Sequence, residues 1–224
     1  MNDTEAVKIP KFRNARRALD WLRKNRFSNQ FSNKLDRLPA DREEVFFKSK
    51  EDPFHLAAYV LAYARYVGNP LGERFEQLLK PNKGALLSYL REMDERGNDM
   101  PQSLIDELKG CSCQLIQWAK HTEKRLPKHL EDSIDEPQWA LDYATDVLRG
   151  RLPEHLEKVF FKSAEHASQY AFEVIRGFSP IKLPDDLHAF MVMKSFETPN
   201  NRYIKEYMEA SEDDPNKMGN HATD

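Results

Sequence analysis

The chain has 224 residues, of which 40% are apolar and 32% charged, and its formal net charge is -3. That length permits one sizeable hydrophobic core or two small ones, and the high charged fraction suits thin layers with much surface. Two cysteines, Cys111 and Cys113, do not make a disulfide scaffold, no run of about 18 apolar residues suggests a spanning helix, and the N-terminus lacks the apolar core of a signal peptide, so a reducing cytoplasm is the expected location.

The first predicted element is a helix from Lys11 to Arg26 that buries Phe12, Ala15, Leu19 and Leu22 and turns Arg13, Arg16, Arg17, Arg23 and Lys24 outward. Residues 1–40 carry ten basic and four acidic side chains, a balance of plus six, which leaves minus nine for the rest of the chain. Such a face suits three roles: the solvated outer side of a capping helix, a contact with an acidic protein surface, or a contact with nucleic-acid phosphates. The acidic remainder argues against a basic groove running the length of the molecule.

From Arg37 onward two sets of markers recur. Aromatic-aliphatic pairs stand at Tyr63-Ala64, Tyr89-Leu90, Trp118-Ala119, Tyr143-Ala144, Tyr170-Ala171 and Tyr203-Ile204, in steps of 26, 29, 25, 27 and 33 residues. Leu38-Pro39, Met100-Pro101, Leu126-Pro127, Leu152-Pro153 and Leu183-Pro184 keep step with them, and Asn69-Pro70 fills the remaining place. Proline has a helical φ and no amide hydrogen to lose, so it predicts a helix start, and acids just after it, such as Glu154 and Glu157, favour the positive helix end. Val45-Phe46-Phe47-Lys48-Ser49 recurs as Val159-Phe160-Phe161-Lys162-Ser163 in the same register.

Each unit is expected to be a helix pair. Between Leu152 and Gly177, Leu156, Val159 and Phe160 form a short stripe, and Ala167, Tyr170, Ala171, Val174 and Ile175 a second, repeating Ala140, Tyr143, Ala144, Val147 and Leu148. Gly150 and Gly177 stand at the predicted helix ends. In the first unit the Tyr63-Ala64 pair falls about one helical turn late, which predicts that Tyr59 and Tyr63 both face inward. The unit from Met100 to Arg125 keeps the helical period in Leu104, Leu108, Leu115, Trp118 and Ala119 but not the turn chemistry. Ser211 to Asp224 reads as a polar, disordered tail.

The stretch Glu136-Pro137-Gln138-Trp139-Ala140-Leu141-Asp142-Tyr143-Ala144-Thr145-Asp146-Val147-Leu148-Arg149-Gly150-Arg151-Leu152-Pro153-Glu154 resembles short helical repeats of many bacteriophage and large-virus proteins. Their pattern is roughly Pro-Glu-x-Ala-x-x-Tyr-Ala-x-Asp-Val-x-x-Gly-Arg-x-Pro-Glu. The match is good over residues 126 to 180 and fair at 37 to 68. The resemblance implies an all-helical scaffold of viral origin, and it carries no shared activity, substrate or catalytic residue.

Candidate chemistry is sparse. His129 and His155 occupy equivalent places in successive units, and stacked helices set such places about 10 Å apart, too far for a shared zinc. Cys111 and Cys113 have no partner pair to complete four ligands. Carboxylates after each proline are spaced for helix starts rather than for acid-base work, and Ser49 and Ser163 suit caps. The recurring tyrosines read as core, with base stacking as the sharper alternative.

The sequence therefore predicts an all-α, α-solenoid-like stack of six short helix pairs over residues 37–210. A basic cap precedes it at 1–36, a degenerate break falls near 97–125, and a tail follows at 211–224. The expected function is non-enzymatic binding of a partner protein, as a phage-encoded modulator or inhibitor of a host protein such as one of its defences, in the host cytoplasm. Nucleic-acid binding through Arg13, Arg16, Arg17, Arg23 and Lys24 is the alternative, and a homodimer through a terminal unit is open. No cofactor, metal or membrane partner is implied, and no basic groove with a catalytic acid can be assembled for an enzyme acting on DNA bases.

Overall fold

A computed structural model describes residues 9–25, 37–68, 70–175 and 183–211, which are helices and short connections without a strand. Arg26, Gly177 and the tail from Glu212 lie outside the described residues. None of the described helices is long and apolar enough to cross a membrane. The chain divides into two compact units, Met1–Leu108 and Lys109–Asp224.

The first unit contains α1 (Ala15–Asn25), α2 (Ala40–Phe47), α3 (Pro53–Val67), α4 (Glu73–Leu79), α5 (Lys83–Glu95) and α6 (Gln102–Asp106). Helix α1 begins four residues later than the sequence suggests, because the Asn14 side chain accepts the Arg17 amide and ends the irregular approach there. Its buried face is Ala15, Ala18, Leu19 and Leu22, whereas Phe12 stays half-buried beside Trp21. The central element is α3, packed against α1, α4 and α5. Asp52 caps its start by accepting from the Phe54 and His55 amides. Gly68 ends it at φ 80, where a Cβ would lie 3.3 Å from Arg96 Nη1. Tyr63 is fully buried and Tyr59 only half-buried, so the inserted turn carries one tyrosine inward, not two.

The second unit contains α7 (Ser112–Thr122), α8 (Lys128–Glu131), α9 (Pro137–Asp142), α10 (Glu154–Glu157), α11 (Ala164–Tyr170), α12 (Asp185–Glu197) and α13 (Arg202–Ser211). Helix α9 runs on as a π-helix over Tyr143–Leu148, α10 as a 3-10 helix over Lys158–Lys162, and α11 as a π-helix over Ala171–Ile175. The i→i+5 bonding of a π turn rotates later residues off the i, i+3, i+4 stripe. Ala140, Tyr143 and Ala144 are accordingly buried while Val147 and Leu148 are half-exposed. The turn out of this segment uses Arg149 at φ 50 rather than Gly150, whose amide donates to Ala144 O at 3.0 Å.

Helices start at five of the predicted Leu-Pro or Met-Pro pairs, where the proline is the N-cap residue and not the first helical one. Pro39, Pro101, Pro127, Pro153 and Pro184 are N-cap residues with φ between -49 and -58 and extended ψ, and their carbonyls accept the first helical amides. The remaining start is Leu71-Gly72, with Gly72 capping α4 at φ 91, and not Asn69-Pro70. The sixth aromatic marker also moves: Tyr207 is fully buried, and Tyr203, four residues before it, is 36% exposed. The doubled Val-Phe-Phe-Lys-Ser segment places Phe46 and Phe160 alike, stacked on Tyr63 and Tyr170 at 5.0 and 4.7 Å.

Candidate functional site

The recurrent polar residues assemble into buried clamps. The Tyr143 hydroxyl donates to Glu131 Oε1 at 2.7 Å and accepts the Leu126 amide at 2.9 Å. Arg125 closes the carboxylate from outside, donating from Nε to Oε1 at 2.7 Å and from Nη2 to Oε2 at 3.1 Å. Tyr170, Glu157, Leu152 and Arg151 repeat this one unit on. Tyr63, Glu43, Leu38 and Arg37 do the same in the first unit. Tyr89, Glu76 and the Leu71 amide form the clamp without its arginine, since Pro70 stands at that place. At the last start His188 replaces the glutamate, its Nδ1 lying 2.7 Å from the Tyr207 hydroxyl. At Met100 the equivalent sequence positions hold Ile105 and Trp118 in place of the glutamate and the tyrosine.

These clamps hold helix starts to helix interiors and leave no reactive group free. Burial disfavours the charged form of Glu131, yet the bonds from Arg125 and Tyr143 outweigh it and hold the carboxyl below its ordinary range. Burial, with the neighbouring glutamate, pushes the Tyr63, Tyr89, Tyr143 and Tyr170 hydroxyls far above theirs. All four rings are fully buried, which excludes base stacking on them. Glu157, expected as a helix-dipole residue, is a clamp acid. The signal was present as Arg-Leu-Pro-x-x-x-Glu at 37, 125 and 151.

Other candidates resolve into local structure. Ser163 has a histidine neighbour, His166 Nδ1 at 2.8 Å, and His166 Nε2 faces Gln138 Oε1 at 3.2 Å. The same serine oxygen caps α11 through the His166 amide, and a glutamine offers no charge to stabilise an imidazolium, so the arrangement fits a cap. Ser49 accepts the Glu51 amide. His155 is half-buried with its Nε2 3.2 Å from Asp132 Oδ1, and His129 is exposed. Cys111 and Cys113 are free thiols, the latter accepting from Gln117. No group of three metal-binding side chains occurs among the described residues.

Two surfaces remain. Arg13, Arg16, Arg17, Arg23 and Lys24 are all exposed on or beside α1, and among the described residues none of them forms an ion pair. Elsewhere Arg37, Arg42, Arg65, Arg74, Arg125, Arg151 and Arg202 each hold a carboxylate. The second surface is the outward side of α12. Only Leu187 and Met191 of that helix are buried, while Met193 is 50% and Phe196 82% exposed. Phe190 joins them to the half-bared Phe161 at 5.5 Å. No family model matches the chain, and no match to a curated protein or to a solved structure was found.

Proposed function

We infer that the chain is a non-catalytic, all-helical protein that docks on a partner protein through the outward face of α12. The observation that carries this is the apolar row of the exposed Phe161, Met193 and Phe196 with the half-buried Phe190, among described residues whose other large apolar side chains are mostly buried. Covering a phenylalanine as open as Phe196 is worth about 2 to 3 kcal/mol, so this row has the composition of a binding centre. Asp186 and Glu197 stand toward the two ends of this row and both are exposed, so a partner protein with basic flanks complements the face. The resemblance of the repeat to those of phage and large-virus proteins supports a host protein as the partner and modulation of its activity as the role.

Affinity capture of tagged protein from a bacterial lysate, repeated with Met193→Asp/Phe196→Asp, tests this. A stoichiometric protein retained by the natural chain after nuclease and high salt, and lost from the variant, is expected. Equal capture by both sinks the reading, and a concentration-dependent dimer abolished by the same changes would identify a second copy instead.

A second reading is favoured by the uncommitted cations of α1: recognition of nucleic-acid phosphates. Each phosphate contact adds about 0.7 to 0.9 to the slope of log affinity against log salt. Arg16→Glu/Arg17→Glu should abolish binding, and salt-insensitive binding would remove this reading.

A further inference from the structure

We propose that the groove beside the start of α1 takes an unstacked base of a single-stranded nucleic acid. This rests on the phosphate-binding reading of α1 and adds the chemical form of the ligand. The groove has a volume of 440 Å³ and is floored by two aromatic rings, Phe12 from the approach to the helix and Trp21 from its second turn. Their centroids are 5.7 Å apart and their planes inclined by 56°, so they form a wedge rather than a closed stack. Both side chains are half-buried and keep surface toward the groove. Arg13, Arg17 and Lys24 stand around the same groove, together with Lys11, and all four are exposed.

Rings beneath and cations around are the two components of a single-strand site: stacking on a π face, and a positive rim that tracks the backbone. The arginines on the rim also pair with phosphate in a bidentate fork. A duplex cannot use the floor, because its bases are already stacked on one another and present only edges in the grooves. It would meet the rim alone. Asp20 lines the groove as well. A carboxylate there accepts a hydrogen bond from the exocyclic amine of a base, a contact that the carboxylates of an acidic protein surface cannot make, which favours a nucleic acid as the occupant.

Fluorescence anisotropy with labelled oligodeoxycytidine, whose bases carry the exocyclic amine, and with a duplex of the same length, tests the proposal on the full chain at low salt. The strand is expected to bind more tightly than the duplex. Trp21→Leu, which keeps an apolar side chain in place of the ring, should weaken strand binding about 5- to 150-fold, the loss of one stacked base, and leave duplex binding unchanged. Trp21→Phe should retain most of the affinity. Phe12→Leu gives an independent loss should Trp21→Leu unfold, as a thermal melt would reveal. Equal affinity for strand and duplex with both leucine variants silent overturns the stacking inference and leaves the phosphate reading standing. If neither ligand binds, both readings are removed.

Discussion

Replacing Tyr143 by phenylalanine deletes one oxygen from the centre of a clamp. Two bonds go with it: the one donated to Glu131 at 2.7 Å and the one accepted from the Leu126 amide at 2.9 Å. A bond to a charged group contributes about 1.5 to 3 kcal/mol, and an abandoned buried amide costs about 1 to 3 kcal/mol. Relief from burying the hydroxyl offsets about 1 to 3 kcal/mol of this. The Glu131 side chain, only 1% exposed, keeps Arg125 and stays charged. A net loss of about 2 kcal/mol is expected. With a urea m-value of about 2 kcal/mol/M, the midpoint followed by helical circular dichroism should fall by about 1 M with the slope unchanged. Tyr203→Phe is the control, since that ring is 36% exposed and should stay within about 0.5 kcal/mol. Equal shifts for the two variants would refute the clamp as a source of stability.

The clamps also set two pH limits. The Glu131 carboxyl is lowered from its ordinary value of 4.5, so its contribution is complete above that pH and is lost as pH falls through the lowered value. The buried tyrosines are raised from 10.0, so theirs is complete below pH 10 and is lost as pH climbs beyond it. Urea midpoints against pH should give a plateau between these limits, and Glu131→Gln should shallow the acid side; a midpoint that keeps rising past pH 10 would contradict the tyrosine assignment. Asn82 caps α5 by accepting the Ala85 amide and donates to Phe54 O. Asn82→Ala should therefore cost about 1 to 2 kcal/mol in the same urea assay, and no loss would show the cap to be idle. Arg149, left-handed at φ 50, should gain about 0.5 to 1 kcal/mol on replacement by glycine, and a drop in midpoint would mean that its side chain matters more than its backbone.

Periodicity and punctuation were legible in the chain itself. Tyr143-Ala144 and Tyr170-Ala171 lie on apolar stripes of helical spacing, and each Leu-Pro or equivalent pair announces a helix, because backbone sterics and burial act over a few residues. The five exposed cations around α1 follow from the same local rule: an amphipathic helix that buries Ala15, Leu19 and Leu22 must turn Arg16, Arg17 and Arg23 outward.

Tertiary structure decided what lay beyond that range. Glu131 and its tyrosine are 12 residues apart, but Glu43 and Tyr63 are 20 apart. The connecting helices differ in length, so no fixed spacing joins the glutamate to its tyrosine, although the Arg-Leu-Pro-x-x-x-Glu half of the clamp recurs unchanged. Tyr203 and Tyr207 are one turn apart, and only the helix packed against α13, with His188 waiting for a hydroxyl, selects the second. Phe160 and Phe196 are the same residue type on similarly patterned helices, yet one is fully buried and the other 82% exposed. A stripe states that a face is apolar; whether anything covers it depends on the neighbouring elements that the fold supplies.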